Sequence, residues 1–488
     1  MNDQNPQARA WSCDTFYVGA DATATGRALF GKNSDRPAGE AQPLRWNPRR
    51  DTPGQLRLAY VSIDDAPAFA HLGSAPHWCW GYEFAVNEHN VVIGNEALYT
   101  RPWAAHVQAA RAGNPPAPGI LGMELLRLGV ERGRTAREAL DVITELLERH
   151  GQWGSAMAAV KPENGAYDNA FVIADPTTAY VLETAGKDWA ARQLPSDIFS
   201  ISNEPTIRTD FDHASPALTR NLAKYRSARH EGSEFDFAET VVDPNTPLQV
   251  SHIRQRRSEQ LLTYARDNSG VSVEAAKKLL RDHYEGTFLG GPFLNAARPD
   301  FHTLCMHEHP AGFTWGNTAS SIIIDLAATD DDITVIWWTP LPPCLGAYIP
   351  IVLQSAAVPP QFTLPAPLTP RPPEDMHHAI FDPQSYWWTM QNLLDITKGD
   401  ELGTHFTKRS AEIRSQFDPL EQTWTQQVDT LRHKWSHADS DGRAHIVDQF
   451  TTLTKTAAHA VRNIITTTIE LHAPEHHHTA YDTRWRSH

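Results

Sequence analysis

The chain has 488 residues, of which 41% are hydrophobic and 21% are charged, and its formal net charge is −15. This composition is that of a globular protein, and the length exceeds what one hydrophobic core normally supports, so we expect more than one structural unit. The negative charge disfavours nonspecific binding to nucleic acid or to an anionic membrane surface. Because the sequence has no bilayer-length apolar run and residues 1–12 lack the apolar core of a signal peptide, we expect a cytoplasmic protein.

The four cysteines, Cys13, Cys79, Cys305 and Cys344, are far apart in the sequence. So few cysteines in so long a chain argue against a disulfide scaffold, and the lack of a Cys-x-x-Cys spacing argues against a zinc ribbon. A reducing compartment, in which a free thiol survives, agrees with this usage.

The chain begins with a polar segment, residues 1–12, which we expect to be a disordered tail or a short propeptide. Two short apolar runs follow, Thr15–Val18 and Gly26–Phe30, and they predict adjacent strands of a hairpin. The loop after the second strand, residues 31–37, is then expected to return toward Cys13.

This predicted loop carries Lys32, Asp35 and Arg36. A thiol needs a nearby cation or base to become a thiolate, because its ordinary pKa lies above neutrality. We therefore interpret Cys13 as a nucleophile. The alternative is that Cys13 is a buried structural thiol, which is a frequent role of free cysteine.

Over residues 55–338 the predicted order is strands, helices, strands, helices and strands. Thr135 and Glu138 have the spacing of a capping box, which marks a helix start. The predicted strands are 55–63, 80–86, 91–93, 170–174, 179–184, 198–202, 303–307, 319–325 and 333–338, and the predicted helices are 119–133, 135–151, 252–267 and 272–285.

Residues 358–374 are rich in proline and predict an extended linker, because proline neither continues a helix nor donates to a strand ladder. Residues 375–488 follow as a helical extension of three or four helices, with Trp387-Trp388 either in its core or at a partner or homo-oligomer surface. The tail residues His472 and His476–His478 lack carboxylate or cysteine partners in regular spacing, so we expect a solvated terminus rather than a metal site.

The motifs from Cys13 to Gln42 resemble the secernin and bacterial dipeptidase family of N-terminal nucleophile hydrolases. They are Cys-Asp-Thr-Phe at residues 13–16, Phe-Gly-Lys-Asn-Ser-Asp-Arg-Pro at 30–37, and Glu40 with Gln42. Further blocks in the family's order extend the resemblance over about residues 13 to 350. These blocks lie at 87–88, 93–97, 169–175, 182–186, 201–203, 305–307 and 318–321.

The resemblance implies an α+β fold, a four-layer αββα sandwich of mixed sheets with helices outside, over residues 13–357. The alternating order of strands and helices suits this architecture. Composition and periodicity do not by themselves select it over other α+β arrangements.

The family's chemistry implies that the chain is cut just before Cys13, so that the thiol and a free α-amino group share one residue. An α-amino group has a reference pKa of about 7.7–8.0 and can therefore accept a proton near neutral pH. The implied activity is a cysteine-type dipeptidase that hydrolyses small peptides from the amino end through an acyl-enzyme, without metal or cofactor. The alternatives are an amidase for non-peptide N-acyl substrates and a non-hydrolytic, secernin-like interaction protein.

Related amidases such as the bile-salt hydrolases have Arg-Asn-x-Asp where this chain has Lys32-Asn33-Ser34-Asp35. The resemblance implies that Asp35 contacts the nucleophile's amine and that Lys32, or instead Arg36, lowers the thiol pKa. Asn203 resembles an asparagine that supports the oxyanion hole, and Asn95 is a second candidate for that role.

A further active-site arginine of those amidases resembles Arg256 or Arg257. The run Arg254-Gln255-Arg256-Arg257 leaves the choice open.

Overall fold

The computed structural model describes residues 12–52, 54–218, 235–246, 249–290, 295–299, 301–310, 312, 314, 316–329, 331–377 and 380–472. Most of the predicted propeptide and the predicted histidine tail beyond His472 lie outside these residues. The described chain is α+β, with antiparallel sheets and helices.

The strands are β1 Cys13–Val18, β2 Leu29–Pro37, β3 Leu44–Asn47, β4 Gln55–Arg57, β5 Ser62–Asp64, β6 His71–Ser74, β7 Phe84–Asn87, β8 Val92–Leu98, β9 Asp168–Ala174, β10 Ala179–Ala185, β11 Asp188–Gln193, β12 Ile198–Ile201, β13 His213–Ala214, β14 Gly316–Asp325, β15 Val335–Pro340 and β16 Ile349–Val352. The helices are α1 Arg101–Arg111, α2 Gly122–Arg132, α3 Ala136–His150, α4 Pro162–Gly165, α5 Phe237–Val241, α6 Gln249–Ser269, α7 Val273–Leu280, α8 Tyr386–Lys398, α9 Phe406–Trp435 and α10 Ser440–His472.

The chain divides into two compact units, which are described separately. The first contains the described residues among 1–19, 47–256 and 367–378, and the second those among 20–46, 257–366 and 379–488. Of the proline-rich segment, residues 358–366 belong to the second unit and residues 367–374 to the first.

The first unit is built on an antiparallel sheet in the order β13-β11-β10-β9-β8-β7-β6. Ile93 of β8 lies against Gly129 of α2, whereas Glu96 of the same strand accepts a hydrogen bond from Thr15 of β1. Side chains three apart on a strand project from opposite faces. Helices α2 and α3 therefore cover one face of the sheet, and β1, which pairs with β12, packs on the other.

The predicted helices at 119–133 and 135–151 are confirmed as α2 and α3. Thr135 caps α3, since its hydroxyl oxygen accepts from the backbone nitrogen of Glu138. The helix ends at Gly151, whose φ of 72° is a left-handed conformation that glycine adopts without steric cost.

The second unit contains the strands β2-β14-β15-β16, all antiparallel to their neighbours. Helix α7 packs on β2 and β14, α8 on β15, and α10 on β16. The ladder between β2 and β14 requires glycine at 316, because a Cβ atom there would lie 1.8 Å from the carbonyl oxygen of Arg36.

The prediction that residues 31–37 form a loop is wrong, since they lie within β2. Their backbone pairs with β14 from Pro37 opposite Gly316 to Leu29 opposite Asp325. The polar side chains suggested a loop, but the strand is buried up to Arg36. Hydrogen bonds to other residues satisfy side chains such as Asn33 and Ser34.

The predicted strand at 303–307 is also wrong, because this segment is irregular. Its polar groups bond locally, with the hydroxyl of Thr303 donating to the carbonyl oxygen of Cys305 and the nitrogen of Met306 donating to the hydroxyl oxygen of Thr318. Two further predicted elements are shorter than expected: 55–63 forms only β4 and β5, and the helix predicted to residue 285 ends at Leu280.

The prediction of three or four C-terminal helices is confirmed for the described residues by α8, α9 and α10. Both Trp387 and Trp388 are buried, which is the core role rather than the surface role. Among the residues that the structure describes, none of the helices is both long enough and apolar enough to cross a membrane.

Candidate active site

Cys13 is the first residue of β1 and is buried. Its backbone nitrogen donates a hydrogen bond to Oδ1 of Asn203 at 3.0 Å. Its carbonyl oxygen accepts from Nη1 of Arg254 at 2.9 Å and from the hydroxyl of Ser202 at 3.4 Å. The backbone of the predicted nucleophile is therefore held on both sides by groups far away in sequence.

Asn203 is brought to this position because β12, which ends at Ile201, pairs with β1. Its Oδ1 accepts from both Cys13 and Arg254, and its Nδ2 donates to the carbonyl oxygen of Ala97 at 3.0 Å. These contacts fix which side of the amide faces Cys13. Nδ2 has a second N–H, which is the donor that the predicted oxyanion role requires.

Arg254 lies in the first turns of α6 and is fully buried. Besides its bond to the Cys13 carbonyl, Nη1 donates to Oδ2 of Asp14 at 2.6 Å, and Nη2 donates to Oδ1 of Asn203 at 2.7 Å. The carboxylate of Asp14 supplies the opposite charge that a buried guanidinium needs. One planar side chain thus joins β1 to the segment after β12.

The other two arginines of the run are placed differently. Arg256 is exposed, and Arg257 forms an ion pair with Asp282 at 2.6 Å. The structure therefore brings Arg254, which the sequence did not favour, against Cys13 and Asn203. The helical rotation of about 100° per residue separates the three, and the sequence run alone does not reveal which one faces inward.

Asn95, the second oxyanion candidate, lies on β8 with its amide beside the side chains of Asn169 and Glu83. Asn169 in turn lies against Gly122 at the start of α2. Asn95 therefore projects toward the helical layer, whereas its neighbour Glu96 faces Thr15 of β1.

The three candidates on β2 belong to the second unit, and all are buried. Asp35 accepts a hydrogen bond from the hydroxyl of Thr318 at 2.7 Å. Arg36 forms an ion pair with Glu40 at 2.5 Å, which is a structural contact. Lys32 lies opposite Ile322 of β14. Their approach to Cys13 stays a prediction.

The segment that carries Asn203 is fastened by Glu183 of β10. The carboxylate of Glu183 accepts from the backbone nitrogens of Thr206 and Ile207 at 2.5 and 3.0 Å and from the hydroxyl of Thr206 at 2.7 Å. Burial raises the pKa of Glu183 to about 7, although these hydrogen bonds oppose the shift. Sequence reasoning did not identify Glu183, Asp14 or Ser202 as members of this network.

A known relative and several solved structures are similar to parts of this chain. A dipeptidase of Bifidobacterium longum (strain NCC 2705) is 27% identical over 207 residues, a match that spans 38% of this chain and only 36% of that relative. A variant of the conjugated bile acid hydrolase of Clostridium perfringens gives a TM-score of 0.39 at 12% identity over 66% of this chain and 88% of that one. The Caenorhabditis elegans orthologue of N-acylethanolamine-hydrolyzing acid amidase gives 0.32 at 10% identity, over 64% and 92% of the two chains.

The family is established by a longer match. The sequence pattern that defines peptidase family C69 matches residues 12–293, which is more than half of the chain and begins beside Cys13. The family resemblance predicted from the N-terminal motifs is thereby confirmed, and the protein belongs to peptidase family C69.

Proposed function

We propose that this protein is a cysteine-type dipeptidase that hydrolyses small peptides through an acyl-enzyme on Cys13. Membership of a peptidase family supports the reaction class. The structural observation that carries the proposal is the hydrogen bond between the nitrogen of Cys13 and Oδ1 of Asn203. This bond holds the atom that removal of residues 1–12 converts into the catalytic α-amine.

In the intact chain the Cys13 nitrogen belongs to a peptide bond and cannot act as a base. Hydrolysis of the Ser12–Cys13 bond frees it as an amine with a pKa near 8, which can take the thiol proton at neutral pH. Asn203 is suited to orient this amine because its Oδ1 is a neutral acceptor, which binds an N–H of either protonation state. Arg254 anchors the adjacent carbonyl, so the residue keeps its position after the cut.

The reaction then follows from these groups. The Cys13 thiol transfers its proton to the α-amine, and the thiolate attacks the carbonyl carbon of the substrate's peptide bond. The resulting ammonium protonates the leaving amine as the C–N bond breaks, which leaves a thioester. The amine next removes a proton from water, and the hydroxide attacks the thioester. The C–S bond breaks, the acid product leaves, and the Cys13 thiolate takes its proton back from the ammonium.

For the remaining candidates we propose limited roles. The second N–H of Asn203 is our preferred oxyanion donor over Asn95, whose amide lies on the helical side of β8. We assign Asp35 to the amine and Lys32 to the thiol, and we prefer Lys32 to Arg36 because Arg36 is paired with Glu40.

We also propose the finer architecture that the family implies, an αββα sandwich over residues 13–357. The layers of the first unit support it. Helices α2 and α3 cover one face of its seven-stranded sheet, and the β1–β12 pair packs on the other face. We propose a cytoplasmic protein, with the helical extension 375–488 as its surface for self-association.

The function is tested by incubating purified protein with a panel of dipeptides and a panel of N-acyl amino acids. We expect release of free amino acids from dipeptides by the wild type and none by Cys13→Ala. Hydrolysis of N-acyl compounds alone would replace the dipeptidase by an amidase. A folded protein that begins at Cys13 and hydrolyses neither panel would contradict the enzyme and favour an interaction protein.

A further inference from the structure

Among the residues that the structure describes, four metal-binding side chains converge in the second unit. They are His283 after α7, Cys305 and His307 in the irregular segment before β14, and Cys344 between β15 and β16. One ligand atom from each lies within 4.8 Å of the other three. Three separate loops thus supply two sulfur and two nitrogen atoms to one point.

Three of the six distances between these atoms match a tetrahedral metal centre. Nε2 of His307 lies 3.3 Å from Nε2 of His283, 3.3 Å from Sγ of Cys344 and 3.7 Å from Sγ of Cys305. A zinc ion with bonds of about 2.0–2.1 Å to nitrogen and about 2.3 Å to sulfur sets its ligand atoms about 3.3–3.8 Å apart. All three distances fall within that range.

The contacts of the His283 ring also suit a metal ligand. Nδ1 of His283 lies 2.9 Å from Oε1 of Glu285, and its Nε2 faces Nε2 of His307. This is the arrangement of a metal-bound histidine whose second nitrogen is oriented by a carboxylate. The two Nε2 atoms of His283 and His307 face each other at 3.3 Å, and a shared metal ion would satisfy both nitrogens.

The buried position of these side chains favours a metal complex that has no net charge. His283, Cys305 and His307 are buried and Cys344 is partly buried, while the ring of Phe406 packs edge-on against His307 with centroids 5.2 Å apart. Two thiolates and two neutral imidazoles around a divalent ion give no net charge, which a buried site accommodates at low cost. Four protein ligands leave no open position, so the site is structural.

We propose that His283, Cys305, His307 and Cys344 bind one Zn²⁺ ion that fastens these loops. A cavity of 550 Å³ with His283, Glu285 and Cys344 in its wall provides an entry path. This proposal does not depend on the activity proposed above.

The loops that the proposed zinc ion connects also contact β2. Nδ2 of Asn33 donates to the carbonyl oxygens of Leu280 and Leu304, at 2.8 and 2.6 Å. The Met306 nitrogen donates to the hydroxyl oxygen of Thr318, whose own proton goes to Asp35. The metal therefore acts as a positioning element for the strand that carries Asp35.

The test is elemental analysis of untagged protein purified under reducing conditions without chelator. We expect about one equivalent of zinc per chain in the wild type, and its loss in the double variant Cys305→Ser/Cys344→Ser. The matched controls are three variants: Cys79→Ser at a buried cysteine elsewhere, Cys13→Ala, and replacement of His476, His477 and His478 by alanine. All three controls should keep the metal.

Two further readouts keep the test decisive if the double variant does not fold. Replacement of zinc by Co²⁺ should give the thiolate charge-transfer absorption of a cobalt–sulfur site, and Glu285→Gln should weaken zinc binding about 10- to 100-fold. Wild-type protein that unfolds cooperatively but holds less than about a tenth of an equivalent of zinc per chain after incubation with Zn²⁺ would overturn the proposal. So would zinc retained by the double variant, or a Cys305–Cys344 disulfide that persists in metal-free protein purified under the same reducing conditions.

Discussion

The side-chain oxygen of Asn203 accepts a hydrogen bond from the backbone nitrogen of Cys13 at 3.0 Å, although 190 residues separate them. The same oxygen accepts from Nη2 of Arg254, and the amide nitrogen of Asn203 is bonded to the Ala97 carbonyl. This arrangement allows only one orientation of the amide. It presents an acceptor, rather than a donor, to the nitrogen of Cys13.

We therefore expect Asn203→Asp and Asn203→Ala to affect activity differently. Asn203→Ala removes both the acceptor for the Cys13 nitrogen and the proposed oxyanion donor. It should lower kcat about 10²- to 10³-fold with little change in KM. Aspartate keeps the acceptor but loses the N–H, so the mature amine should remain in place while the rate falls. Steady-state kinetics on a dipeptide measures both effects, and an unchanged kcat in Asn203→Ala would remove this residue from the site.

The arginine run offers an internally controlled prediction. Arg254→Met leaves the buried carboxylate of Asp14 without its guanidinium partner and should lower the free energy of unfolding by about 3–5 kcal/mol. Arg256→Met, two residues away and exposed, should change it by less than about 0.5 kcal/mol. Urea unfolding of both variants is the measurement. Equal losses in the two would mean that the contacts of Arg254 do not carry the effect.

Glu183 gives a prediction about pH. Its pKa is raised from an ordinary 4.5 to about 7 in the folded protein, so the unfolded chain holds fewer protons between these values and stability falls as pH rises through them. The stability advantage of the wild type over Glu183→Gln should accordingly shrink by about 3 kcal/mol from pH 4.5 to pH 7. Unfolding free energies of both proteins across this range provide the check. An advantage that grows with pH would mean that the three donors from Thr206 and Ile207 outweigh burial.

The hydroxyl of Thr318 links the Asp35 carboxylate to the backbone nitrogen of Met306. Thr318→Val keeps the shape of the side chain but leaves the Met306 nitrogen without this acceptor, at a cost of about 1–3 kcal/mol. Thr318→Ser retains the hydroxyl and should recover most of the loss. Thermal unfolding of the two variants separates the hydrogen bonds from the methyl group, and a serine variant as unstable as the valine variant would contradict their importance.

The strands beside Cys13 and Asn203 could be predicted because each forms a continuous, mostly apolar run. Cys13 is followed by a short apolar run, and Asn203 comes two residues after the strand that pairs with β1. The position of Arg254 could not be predicted, because four consecutive residues contain three arginines and only the packing of α6 selects the inward-facing one. Residues 31–37 were predicted as a loop because the sequence alone does not reveal which partners satisfy buried polar groups.

The cluster around His307 was missed for a related reason. Cysteine spacing detects metal sites whose ligands are close in sequence, and here only Cys305 and His307 are near neighbours. His283 and Cys344 come from loops 22 residues before Cys305 and 37 residues after His307. Their convergence depends on how α7 and β14–β16 pack, which local patterns do not encode.

The central claim, that Cys13 acts as an N-terminal nucleophile, is tested most directly by the intact mass of the active enzyme. We predict that protein able to hydrolyse dipeptides has lost residues 1–12 and begins at Cys13, and that Cys13→Ala keeps the full-length mass and has no activity. A homogeneous wild type that hydrolyses dipeptides at full rate while its Ser12–Cys13 bond remains intact would contradict the account.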